Sequence, residues 1–252
     1  MTRHLLVIGA QRCGTTGLQQ LLEAHPDIAM ARPARPEPKV FMSAELAGRG
    51  LDWYRGTYFA HATSESLLGE KSTSYIDAAA AAPRAADVFG PARIVVQLRD
   101  PVARAVSNWR FSRGHGVEQR PLDQALAENL LGPRDWDPSA TSVSPFAYLE
   151  RGHYLDHLQP WLECFGDGVH VRFLEDAVTG RATAAALYEA LGVDPEPGSR
   201  AQPAAAGSRV NASSGPEPEL DAGLRQRLRA HFRDSDARLA DWLGRDLPWP
   251  AA

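Results

Sequence analysis

Leu5-Leu6-Val7-Ile8-Gly9-Ala10-Gln11-Arg12-Cys13-Gly14-Thr15-Thr16 is the stretch that decides the fold of this 252-residue chain. Residues 4–10 read as a short buried strand, Gln11-Arg12-Cys13-Gly14 as a turn, and 15–24 as a helix with Leu18, Leu21 and Leu22 on one face. Gly9 and Gly14 keep the G-x-x-x-x-G spacing of a phosphate-binding loop, but Thr15 stands where a nucleoside triphosphatase carries its lysine. In such a loop the amides and the helix N-terminus hold an anion, while the lysine and hydroxyl serve the outer phosphates and magnesium. Without the lysine, an ATP γ-phosphate and its metal lose their main partner. Taken alone, the same turn also reads as a plain strand-to-helix connection with threonine caps.

Working outward, 67–72, 94–98 and 169–173 read as further strands, and 78–88, 101–111, 148–165, 182–191 and 220–243 as helices. Asp100 can cap the helix that Pro101 begins. Strands alternating with helices predict an α/β fold, one domain over 1–252 with a central parallel sheet flanked by helices, wound by right-handed crossovers. The proline-interrupted stretch Pro33 to Pro38 predicts an extended segment, and 132–145 and 192–218 read as surface loops. No internal repeat is present.

Composition narrows the function. A 44% hydrophobic chain of this length can bury a substantial core. A net charge of -4 gives no global attraction to nucleic acid or an anionic membrane, which predicts neither as a partner. The apolar run at the start is too short for a signal-peptide core or a bilayer span, so a cytoplasmic protein is expected. Cys13 and Cys164 form no C-x-x-C pair and no Cys/His spacing matches a zinc site, so neither a disulfide framework nor a metal is expected. Of 27 basic residues only Lys39 and Lys71 are lysine. In an arginine-biased chain these two either mark places where a compact ammonium serves better than a planar fork or are ordinary solvated side chains.

Four motifs, Q-R-C-G-T-T, E-P-K-V-F, G-E-K-S and R-D-P-V-A-R-A-V-S-N-W, occur in that order. Together they resemble the sulfotransferases that use 3′-phosphoadenosine 5′-phosphosulfate (PAPS), in the branch that includes heparan sulfate and bacterial enzymes. The resemblance implies that Arg12, Cys13, Gly14, Thr15 and Thr16 bind the 5′-phosphosulfate without metal, and that Arg99 and Ser107 bind the 3′-phosphate. Arg209, in Gly207-Ser208-Arg209, resembles a late loop over the nucleotide. Family members often carry lysine at Arg12; arginine keeps the charge and leaves open its contact with the bridging oxygen.

Glu37 sits in the segment similar to the one carrying the family's catalytic glutamate, where it would act as general base. Lys39, two residues on in an extended chain, would point the same way. Lys71 matches the family's catalytic lysine and would stabilise charge on the leaving phosphate, with Glu70 either orienting it or forming an ordinary salt bridge. Rival bases are His61, His115, His153 and His157; Tyr154, His153 and Trp53 are candidates near an acceptor. The implied acceptor is a small molecule or glycoconjugate, reacting through oxygen rather than nitrogen, with Arg32, Arg35, Arg110 and Arg113 as the evident basic cluster. Two other readings compete: an ATP-dependent kinase, for which Asp100 is the candidate magnesium ligand, and a silent nucleotide-binding protein.

Overall fold

The computed structural model describes residues 3–141, 143–197 and 218–250. Its strands are β1 (Arg3–Gly9), β2 (Ile28–Met30), β3 (Leu67–Lys71), β4 (Arg93–Leu98) and β5 (Val169–Phe173). The helices through the middle of the chain are α1 (Thr15–Glu23), α2 (Ala44–Ala47), α3 (Gly50–Tyr58), α4 (Ala81–Phe89), α5 (Pro101–Gly114) and α6 (Leu122–Asn129). The remainder are α7 (Tyr154–Phe165), α8 (Leu174–Val178), α9 (Ala184–Leu191) and α10 (Ala222–Leu243). All five strands pair in parallel, in the order β2-β3-β1-β4-β5, so the expected α/β fold with a central parallel sheet is present.

The described residues gather into two compact units, one within 1–98 and 158–210, the other within 99–157 and 211–252. The first holds the sheet. The opening strand lies at its middle, and Leu5 to Ile8 are fully buried, as a strand covered on both faces requires. Alternation sends Leu5 and Val7 into a core with Leu18, Leu22, Leu187 and Leu191. On the opposite face, His4 stacks on Phe89 with ring centroids 4.4 Å apart, and Phe41 and Tyr54 pack on the same phenylalanine. Because β1 leads back towards β2 and β3 while β4 leads away from them, the carboxyl ends of β1 and β4 flank the point where an open sheet of this kind receives its ligand.

In the second unit, α10 presents Leu224, Leu228 and Phe232 at four-residue spacing to Val102, Val106, Leu122 and Leu126. Asp221 caps α10 by accepting from the Leu224 amide at 2.8 Å, and Gly244 ends it in the left-handed conformation.

Several boundaries differ from the sequence reading. The helix expected from 148 begins at Tyr154, after a 3-10 turn at Glu150–Gly152, because His153 takes a non-helical ψ of 63°. The helix expected from 78 begins at Ala81, since Tyr75–Asp77 form their own 3-10 turn. Strand β2 was not anticipated: three residues are too few to show a period. The described residues of 132–145 carry no helix or strand, as expected. Most of the 192–218 stretch, including Arg209, lies outside the described residues.

Candidate functional site

The loop after β1 is built to present amides. Gly14 is the N-cap of α1 with φ 76°, and as glycine it brings no capping oxygen to the first amides of the helix. Arg12 also has positive φ, 69°. Buried Gln97, the polar exception in the apolar strand β4, fixes the turn from beneath: its side-chain amide donates to the Cys13 carbonyl at 2.6 Å, and its own carbonyl accepts from the Ala10 amide at 2.8 Å. Gln11 reaches the Ser74 hydroxyl at 3.0 Å. Cys13 is fully buried, so it contributes backbone and packing, not an accessible thiol. Thr15 is buried and Thr16 and Arg12 are half-buried.

The second element brings together two residues that the sequence separates by 34 positions. Lys71 Nζ lies 2.5 Å from Glu37 Oε1, with the lysine side chain 10% and the glutamate side chain 17% exposed. The pair is shielded yet reachable. Thr73 completes the seat, its amide donating to Glu37 Oε2 at 2.9 Å and its hydroxyl lying 3.1–3.2 Å from both oxygens. Lys71 and Thr73 together engage both side-chain oxygens of Glu37 and fix its orientation.

Two expectations about this element need correction. Glu70 does not orient Lys71 and forms no salt bridge with it: successive strand residues face opposite ways, and Glu70 points into the core, accepting from the hydroxyls of Ser72, Tyr75 and Tyr54 at 2.6, 2.6 and 2.8 Å. Nor does the chain remain extended through Lys39, whose φ is 51°; alternation therefore does not carry the direction of Glu37 over to it. Among the described residues, Arg12 and Lys39 are the only non-glycine residues with positive φ. Such conformations cost of order 1–3 kcal/mol each and persist where surrounding bonds over-determine them.

Arg99 and Ser107 belong to the second unit. The Arg99 carbonyl accepts from the Tyr154 hydroxyl at 2.6 Å, which gives buried Tyr154 a backbone-holding place. Asp100 next to it accepts from the Val102 amide at 2.9 Å as the cap of α5, and both its oxygens engage Arg229, at 2.9 and 2.5 Å. Asp100 is thereby committed to a helix cap and a bidentate ion pair, not to magnesium. Among the described residues no cluster of His, Cys, Asp and Glu suits a metal.

The rival histidines occupy local roles. His115 Nδ1 lies 2.8 Å from the Phe111 carbonyl, His157 Nε2 lies 3.0 Å from that of Glu150, His153 meets His231 at 3.1 Å, and exposed His61 stacks near Phe59. Half-buried Trp53 carries the Arg49 guanidinium 5.0 Å from its ring centre. Of the basic cluster, Arg32 and Arg35 lie in the first unit and Arg110 and Arg113 in the second. Sequence reading missed Thr73, Ser72, Tyr54, Tyr75 and Gln97. Ser72 closes the G-E-K-S motif and Thr73 follows it, and a lone glutamine inside an apolar strand was a visible signal for Gln97.

Comparison with known proteins identifies the family. Over 97% of its length the chain is 28% identical to bifunctional heparan sulfate N-deacetylase/N-sulfotransferase 1 of Mus musculus, covering 30% of that protein. It is 33% identical, over 64% of its length, to bifunctional heparan sulfate N-deacetylase/N-sulfotransferase 3 of Homo sapiens, covering 18% of it. The chain thus spans less than a third of these curated relatives. Among solved structures, a sulfotransferase from Alicyclobacillus acidocaldarius shares the fold, with a TM-score of 0.74 at 24% identity and 98% coverage of both chains. The family model described as the sulfotransferase domain matches residues 2–174, which include the amide-presenting loop, Glu37, Lys71 and Arg99 with Ser107. With most of its length matched, the chain belongs to the sulfotransferase family.

Proposed function

We propose that the chain moves a sulfuryl group from PAPS to a hydroxyl or amine of a glycan or glycoconjugate, without metal. The Glu37–Lys71 contact carries this reading, because it sets a carboxylate base beside a compact cation at one shielded point. The transfer forms a bond from the acceptor oxygen or nitrogen to sulfur as the bond from sulfur to the 5′-phosphate oxygen breaks, leaving 3′,5′-adenosine bisphosphate. Positioning and charge stabilisation dominate such in-line displacements.

In this account the amides of residues 13–16 and the Arg12 side chain hold the phosphosulfate, and Arg99 and Ser107 hold the 3′-phosphate. Lys71 and Lys39 meet negative charge on the sulfuryl group and the leaving phosphate. When Lys71 turns to that charge, Glu37 is released from its ion pair, keeps its Thr73 bonds, and takes the acceptor's proton. The names of the heparan sulfate relatives support a glycan acceptor, with an amine as well as a hydroxyl in reach of the same chemistry. An ATP kinase is disfavoured because Thr15 replaces the loop lysine and Asp100 is engaged elsewhere.

The donor assignment is tested by calorimetric titration of 3′,5′-adenosine bisphosphate and, separately, of ATP with magnesium. Tight metal-independent binding of the bisphosphate, weakened at least about 100-fold in the Arg99→Ala, Ser107→Ala double variant, is expected if the two lost contacts are each charge-assisted. Preference for ATP with magnesium would overturn the assignment.

A further inference from the structure

Glu70 is fully buried, and among the described residues no cation pairs with it. Its three hydrogen-bond donors are hydroxyls, and two of them bear a second load. Ser72 Oγ, which donates to Glu70 Oε1, also accepts from the Lys39 amide at 2.9 Å. Tyr75 Oη, which donates to the same oxygen, accepts from the Phe41 amide at 3.2 Å. A hydroxyl has one proton, so donating it to the carboxylate turns its lone pairs towards the amides. Both amides belong to the short segment that follows Glu37 and contains the positive-φ residue Lys39.

We infer that Glu70 is a positioning residue for sulfuryl transfer: through Ser72 and Tyr75 it locks the backbone of residues 39–41 and so sets where Glu37 meets Lys71. The inference rests on the reading of Glu37 as the base. Strand β3 grips the segment from both faces, Lys71 by the side chain of Glu37 and Glu70 by the amides two and four residues beyond it. Tyr54, donating to Glu70 Oε2, anchors the carboxylate to α3. Ionised Glu70 accepts from all of these hydroxyls at once; a neutral carboxyl or an amide there must donate one hydrogen and turn a hydroxyl around. Burial raises the Glu70 pKa against the lowering effect of these hydroxyls, with the nearby Glu37 charge adding to the rise.

The test uses Glu70→Leu, Ser72→Ala and Tyr75→Phe, the last two removing one link each in case the first fails to fold. Two readouts are taken. Amide exchange needs no acceptor: protection at Lys39 in Ser72→Ala, at Phe41 in Tyr75→Phe, and at both in Glu70→Leu, which removes the shared acceptor oxygen, should fall at least about 10-fold, with Val95 in β4 unchanged. Unchanged protection at those amides overturns the inference. Kinetics come second, with kcat measured from labelled PAPS to N-desulfated heparan sulfate. Glu70→Leu and Ser72→Ala should lower kcat at least about 10-fold, as a misplaced base does, with bisphosphate affinity held within about 3-fold. Adding Ser72→Ala to Glu37→Gln should change the residual rate by less than about 2-fold, since the route through Glu37 is already gone. Equal losses in both backgrounds, or a fall in thermal stability with kcat intact, would show a purely structural carboxylate. A Glu37→Gln enzyme at full rate would instead remove the base reading itself, and that single variant distinguishes the two failures.

Discussion

Two glycines three residues apart, one capping α1 and one inside it, should respond oppositely to the same substitution. At Gly14 an added Cβ would face φ 76°, a conformation that costs an L-residue about 1–2 kcal/mol. It would also stand 2.7 Å from Leu174 Cδ1 and 3.1 Å from the Gln97 side-chain nitrogen. The leucine is half-buried and its terminal methyl can swing aside, but the glutamine cannot yield without loosening its 2.6 Å bond to the Cys13 carbonyl. Alanine also restricts the unfolded chain, recovering roughly 0.4–1 kcal/mol. The net expectation for Gly14→Ala is a loss of about 1–2 kcal/mol, a fall in Tm of about 2–8 °C at 2–4 °C per kcal/mol. Gly17 sits inside α1 with nothing within 4 Å of its would-be Cβ. Gly17→Ala should therefore gain about 0.5–1 kcal/mol of helix stability, a rise of about 1–4 °C. The assay is thermal unfolding followed by circular dichroism, with and without 3′,5′-adenosine bisphosphate, which should stabilise Gly17→Ala as much as wild type and Gly14→Ala less. Equal Tm values and equal nucleotide responses in the two variants would refute the account of the loop.

Two further expectations come from the second unit. Burial would raise the Glu118 carboxyl, but the side chain and amide of Arg120 and the Tyr148 hydroxyl pull it down to about 2. A carboxyl held below its unfolded value stabilises the fold fully above about pH 4.5 and loses that contribution as pH falls towards 2, so urea titrations over this window should record up to about 3 kcal/mol that Glu118→Gln does not show. At Gly152 an added Cβ would lie 2.5 Å from Phe232 Cε1 and 2.9 Å from Pro101 Cβ, both parts of packed structure. Gly152→Ala should cost about 1–3 kcal/mol in the same titration, and paired with Phe232→Leu, which opens space, should cost measurably less than the sum of the two changes.

The sheet and its first loop were legible because β1 carries the apolar run Leu5 to Ile8 and leads into a glycine-spaced turn. The Glu37, Lys71, Arg99 and Ser107 assignments came from motif resemblance, and geometry adds to them unevenly. It sets Glu37 against Lys71 at 2.5 Å. The direction expected for Lys39 failed because a two-residue period holds only while the backbone stays extended, whereas the expectation for Glu70 overlooked that same period, which turns it away from Lys71. Of the hydroxyls on Glu70, that of Tyr54 comes from 16 positions away, and the Ser72 and Tyr75 hydroxyls reach the Lys39 and Phe41 amides 33 and 34 positions back. Asp100 was open between cap and metal ligand until Arg229, 129 positions on, was seen to occupy both its oxygens.

The most direct test of the central claim is transfer of labelled sulfate from PAPS to N-desulfated heparan sulfate by wild type and Glu37→Gln, with chelator present. The account predicts labelled glycan from the wild type, unaffected by chelator, and a rate about 100- to 10,000-fold lower for Glu37→Gln with bisphosphate binding retained. Turnover by Glu37→Gln at the wild-type rate would contradict it, placing the base elsewhere in the chain.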